Sequence, residues 1–130
     1  MDIRIVILLI FGISATSWAF PKTACGSGPS HDLLIGYTQS GEQLLYSTRE
    51  KMPKSGLKVK SHDVEWLANP HFVFERITRI EVLDQKHDGS GGCAFLAGGG
   101  LGQNYVKLHL KTQRGGSYDF LINIYGKMDT

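Results

Sequence analysis

From Tyr105 onward, apolar and polar positions alternate. Val106, Leu108 and Leu110 interleave with Lys107, His109 and Lys111, and after Arg114-Gly115-Gly116 the alternation resumes with Tyr118, Phe120, Ile122 and Ile124. A period of two predicts half-buried strands, and two such runs joined by a short glycine loop predict a C-terminal β-hairpin. Parity selects the loop. A two-residue Gly-Gly loop would pair Leu110 with Leu121 and turn Phe120 and Ile122 to solvent. A three-residue loop at Arg114-Gly115-Gly116 pairs Leu110 with Phe120, Leu108 with Ile122 and Val106 with Ile124, so the large apolar groups share one face. Its third position needs a left-handed backbone, which Gly116 is expected to supply. Lys111 would then sit opposite Asp119 on the outer face.

Upstream, Leu33 to Thr38, Gln43 to Thr48 and Leu57 to Ser61 read as short strands, separated by Ser40-Gly41 and by Pro53 to Gly56. Val73 to Leu83 is β-branched enough for a strand, yet Val73, Ile77 and Ile80 also suit a helical stripe. Asn69-Pro70 breaks whatever precedes it. Many short strands with regular punctuation predict an all-β or mainly β domain, an antiparallel sandwich or barrel ending in the hairpin. Between Gly89 and Gly102 half the residues are glycine. No Lys-Ser/Thr follows and no helix opens there, so a phosphate-cradling loop is not expected. Backbone that bends sharply, or lies close to a neighbour around Ala94 to Ala97, is the expectation.

The N-terminus changes the setting. Arg4 precedes an apolar run from Ile5 to Phe11, and small residues follow, ending at Ser17-Trp18-Ala19. This layout predicts a secretory signal peptide over residues 1–19, cut after Ala19, with a single β-rich domain over 20–130. The apolar run is too short to cross a bilayer as a helix. In an oxidising compartment the two cysteines, Cys25 and Cys93, predict one disulfide. No Asn-x-Ser/Thr sequon occurs.

Composition adds limits rather than identity. Apolar residues make up 42% and charged residues 20%, as in a packed domain. Fourteen basic against 12 acidic residues leave a net charge of +2. So small an excess predicts neither nucleic acid nor, once the signal is removed, a membrane as partner. No H-E-x-x-H or G-x-S-x-G occurs, and His31, His62, His71, His87 and His109 are not spaced as metal ligands. Asp84 and Asp88 flank a glycine-rich turn without the oxygen-ligand spacing of an EF-hand. No cofactor, metal or catalytic residue is expected.

The run from Gly98 to Tyr125, with Lys-Thr-Gln-Arg-Gly at its centre, resembles the multiprotein bridging factor 2 family of insects. Lys111, Gln113, Arg114, Gly115, Phe120, Ile124 and Tyr125 match that family's pattern, while Thr112 replaces its usual Ser and Ser117 a common second glycine. The resemblance implies two roles: a transcriptional coactivator bridging a DNA-bound regulator to the basal machinery, and a small secreted protein of salivary type. Neither implies catalytic residues.

Signal peptide, cysteine pair and lack of a basic import cluster favour a secreted, extracellular, non-enzymatic protein that acts by binding a protein or small molecule. Arg49, Lys51, Lys54, Lys58 and Lys60 are too interspersed for a nuclear signal. The intracellular coactivator is the alternative, and a secreted enzyme would require buried His, Asp or Glu converging in one pocket. The expected contact surface is the outer face and tip of the hairpin: Lys107, His109, Lys111, Gln113, Arg114 and Leu121, with Gly115 and Gly116 forming the turn. A competing role for Arg114 is to clamp carbonyls of the glycine-rich loop.

Overall fold

The computed structural model describes residues 25, 28–69 and 75–128. The expected signal peptide and its cleavage after Ala19 lie outside the described residues.

Among the described residues seven strands run in order: β1 (Leu33–Gly36), β2 (Gln43–Met52), β3 (Ser61–Leu67), β4 (Glu75–Asp84), β5 (Cys93–Gly99), β6 (Tyr105–Lys111) and β7 (Tyr118–Met128). All pairings are antiparallel. One sheet has the order β1-β4-β7-β2 and the other β3-β6-β5. The two sheets pack as a sandwich and do not close into a barrel. Of the segment open to a helical reading, the described part from residue 75 onward is strand β4, where Ile80 and Val82 alternate inward with both fully buried. Val73 lies outside the described residues.

The C-terminal hairpin is corrected. β6 and β7 alternate as expected, but they belong to different sheets, each as a central strand. Their inward rows, Val106, Leu108 and Leu110 on one and Tyr118, Phe120, Ile122 and Ile124 on the other, form a single buried core. They meet across the interior instead of side by side. Both arrangements bury the same side chains. The sandwich also covers that apolar face with a second layer, which an open hairpin cannot do. Each such side chain contributes roughly 1.5–3 kcal/mol on burial.

Three further expectations change with it. Residues 112–117 carry the chain between sheets, and the left-handed residue is Gly115 (φ 71°), not Gly116. The Gly116 N–H instead donates to the Gln113 carbonyl at 2.9 Å, closing a tight turn. Lys111 does not face Asp119: its register partners are Ser61 and Cys93, while Asp119 lies opposite Lys51 and pairs with Arg49 at 2.7 Å.

Strand limits also shift. β1 stops at Gly36, which has φ 83° and no room for a Cβ beside the Thr78 carbonyl. Leu57 to Lys60 is loop, with Leu57 79% exposed, and β3 begins only at Ser61. β5 lies inside the glycine-rich segment. There the expected close approach holds: a Cβ on Gly92 would run into the Lys111 carbonyl and lie 2.9 Å from Tyr118 Cβ.

Candidate functional site

Alternation on the three strands of the smaller sheet sends Asp63, Glu65 and Leu67 of β3, Tyr105, Lys107, His109 and Lys111 of β6, and Phe95 of β5 to its outer face. Registered pairing makes these rows touch. His109 Nδ1 lies 2.6 Å from Asp63 Oδ1, and because an ionised carboxylate only accepts, the ring nitrogen donates. That hydrogen bond, opposed by partial desolvation and helped by Lys107, holds the Asp63 carboxyl below its usual range. Lys107 Nζ stands 3.7 Å from both Asp63 and Glu65, and Lys111 Nζ lies 5.5 Å from the centre of the Phe95 ring. The face is a mixed-charge ladder with a half-buried aromatic ring, Phe95, among the charges.

At one end the ladder opens into a hollow of about 590 Å³ lined by Glu65, Trp66, Leu67, Gly98, Tyr105 and Lys107. It exists because β5 bulges between Leu96 and Gly98, and Gly98 carries no side chain. Leu67 and Tyr105 are 64% and 43% exposed at its rim. Apolar walls beside an opposed Lys and Glu suit a ligand with an apolar body and a polar edge.

Of the residues singled out from sequence, Lys107, His109 and Lys111 come together here. The others do not. Gln113 turns away and donates from Nε2 to the carbonyls of Gly89 and Gly91, at 3.0 and 2.8 Å. The clamp on the glycine-rich loop is therefore Gln113, whereas Arg114 Nη1 donates to the Leu57 carbonyl at 3.2 Å. Leu121 lies on the outer face of the other sheet, since β7 belongs there, opposite Arg49 and Leu83. Cys25 and Cys93 form a disulfide with Cα atoms 4.9 Å apart.

Sequence reasoning missed Asp63, Glu65, Leu67 and Phe95. The alternation of Asp63-Val64-Glu65-Trp66 carries the signal for the first two, hidden behind the Leu57 to Ser61 run that reads as a strand just before it. Also missed was a buried pair, His31 and Asp84, 3.8 Å apart. Asp84 accepts the main-chain N–H of His31 and of Lys86, each at 2.9 Å, and His31 Nδ1 lies 3.2 Å from the Gly91 carbonyl. Their polar atoms are thus engaged by backbone, and they do not line the hollow. Among the described residues no group of three His, Cys, Asp or Glu side chains is placed to hold a metal.

Residues 35–126 match the family described as "Transcription activator MBF2". The chain is also similar to a "Probable salivary secreted peptide" of Bombus ignitus, 36% identical over 104 residues that span 80% of this chain and 75% of that protein. No solved structure matches.

Proposed function

The chain belongs to the MBF2 family, and within it we propose that this protein is a secreted, non-enzymatic domain that acts by binding a partner in extracellular fluid. The observation that carries the reading is the open outer face of the β3-β6-β5 sheet. It presents a charge ladder, a hollow and the exposed Tyr105 at its rim, with no covering layer of this chain among the described residues. The Cys25–Cys93 disulfide supports an oxidising compartment, as does the similarity to a salivary secreted peptide. A coactivator acting in the nucleus would meet reducing conditions that such a bridge does not suit.

The test combines location with a filled hollow. Tagged protein is expected in the medium, with its mature N-terminus near Phe20. Gly98 has an ordinary φ, and a Cβ there meets only Lys107 and Tyr105 carbon at 3.7 and 3.8 Å. Gly98→Leu therefore fills the hollow without straining the strand. Wild type is expected to retain a partner from secreted fluid that Gly98→Leu loses at unchanged melting temperature. Nuclear retention, or equal recovery by both proteins, overturns the reading.

A further inference from the structure

The charges of this chain are sorted by position, which a net charge of +2 conceals. Arg49, Arg79 and Lys107 are each ion-paired. Lys51, Lys54, Lys58, Lys60 and Lys86 have no ion-pair partner among the described residues, and all five lie at one end of the sandwich. That end is built from the loops 53–60, 85–92 and 112–117. Of the acidic groups near it, Asp119 is paired with Arg49 and also feels Lys51 and Lys86. Asp88 and Glu50 accept only from the neutral donors of Ser90 and Thr48 and so keep their charge; the five lysines outnumber them.

Leu57 and Val59 stand in the middle of these lysines, 79% and 48% exposed. Leu57 is the most exposed large apolar side chain described. Its loop is braced. The Gly115 N–H donates to the Lys58 carbonyl at 3.0 Å, Thr112 N–H to the Lys60 carbonyl at 2.8 Å, and Lys60 N–H to the Thr112 hydroxyl at 3.0 Å. Arg114 holds the Leu57 carbonyl, and Gly115 packs so closely that a Cβ there would lie 3.2 Å from the Gly56 carbonyl. The crossover between sheets thus fixes an aliphatic tip in solvent, on a loop that also carries Lys54, Lys58 and Lys60. At the same end, Lys51 and Lys86 line a second hollow of about 460 Å³ together with Asp119, Ser117 and Tyr118.

We propose that this end docks on an anionic lipid surface, with Leu57 and Val59 entering the headgroup boundary and the unpaired lysines contacting acidic headgroups. Polyanions such as heparin or an acidic protein satisfy the lysines but give two exposed aliphatic side chains no favourable place. An anionic bilayer satisfies both. The surface is separate from the outer face of the β3-β6-β5 sheet, so it does not depend on the reading given above.

The experiment is co-sedimentation of the intact secreted protein with phosphatidylserine-containing vesicles and with pure phosphatidylcholine vesicles. Partition is expected to the first only, weakening as salt is raised. The double variant Lys54→Gln/Lys58→Gln should lower it about fivefold per lysine, and Leu57→Ser about tenfold. These side chains are exposed, so melting temperatures should stay unchanged. Leu67→Ser, on the hollow's rim, should bind as wild type. Absence of partition, equal partition to both vesicle types, or indifference to Leu57→Ser overturns the proposal. So does retention on heparin beads by a protein that ignores the vesicles.

Discussion

The side-chain amide of Gln113 donates to the carbonyl of Gly91 at 2.8 Å, and the same nitrogen reaches Gly89 at 3.0 Å. This joins the crossover between the two sheets to the glycine-rich segment, and it gives Gln113 a structural task that the turn itself does not. Gln113→Ala leaves two carbonyls without this donor and should cost about 1–2 kcal/mol of unfolding free energy in urea titration. Arg114→Ala, removing one exposed bond, should stay within about 0.5 kcal/mol. Equal losses for the two variants would contradict this division of labour.

Asp84 is the anchor beneath that segment. Its side chain is fully buried, and it accepts the N–H groups of His31 and Lys86. Asp84→Ala should destabilise the domain by about 2–4 kcal/mol, because one buried and one half-buried main-chain donor lose their acceptor. Gly91→Ala should act on the same contact from the other side, since a Cβ at Gly91 would lie 2.5 Å from Asp84 Oδ1. Denaturant midpoints of the two variants and of their combination test this: shared damage predicts a combined loss smaller than the sum.

The disulfide closes a loop with a sequence separation of 68. In the chain-entropy account a loop of that length is worth about 4 kcal/mol. The Cys25→Ser/Cys93→Ser variant should therefore melt well below wild type, and wild type with reductant should fall to the same temperature. A melting temperature insensitive to reductant would show that the bridge constrains little.

Acid stability carries a specific signature. The Arg49 guanidinium donates to both oxygens of Asp119, at 2.9 and 2.7 Å, and holds that carboxyl below its ordinary value of 3.8. A carboxyl depressed in the folded state takes up its proton more readily when unfolded. Its stabilisation is present above pH 3.8 and lost as pH falls through the lower folded value. Arg49 is half-exposed, so solvent screens the pair and the contribution is small. Arg49→Gln should flatten the acid limb of melting temperature against pH and leave the neutral value nearly unchanged. An identical acid limb in wild type and variant would count against the pairing.

Much of the scaffold was legible in the chain. Val106, Leu108, Leu110, Phe120, Ile122 and Ile124 are buried as their alternation requires, and the all-β class follows from strands of this length between glycine and proline breaks. The site was less legible. Lys107, His109 and Lys111 share an outer face because they share parity on one strand. Asp63 and Phe95 reach them from strands 46 and 14 residues away from His109, and nothing local specifies that neighbourhood. β5 escaped notice because its glycines weaken every local strand signal, while its pairing with β6 supplies the missing stability.

What the sequence by itself determined is which side of each strand faces inward, because side-chain direction repeats every two residues and belongs to a single strand. Which strand lies beside which was decided only by the tertiary structure. Placed as a hairpin or across a sandwich, β6 and β7 bury the same rows of side chains, so parity cannot separate the two. The choice falls to the partners on either side. β6 hydrogen-bonds with β3 and β5, and β7 with β4 and β2, so both central strands satisfy their backbone groups on both edges while their apolar faces close on each other. The same choice moves Leu121 to the opposite face from Lys107 and His109, gives Gln113 its glycine carbonyls, and gathers lysines spread between 51 and 86 at one end of the domain.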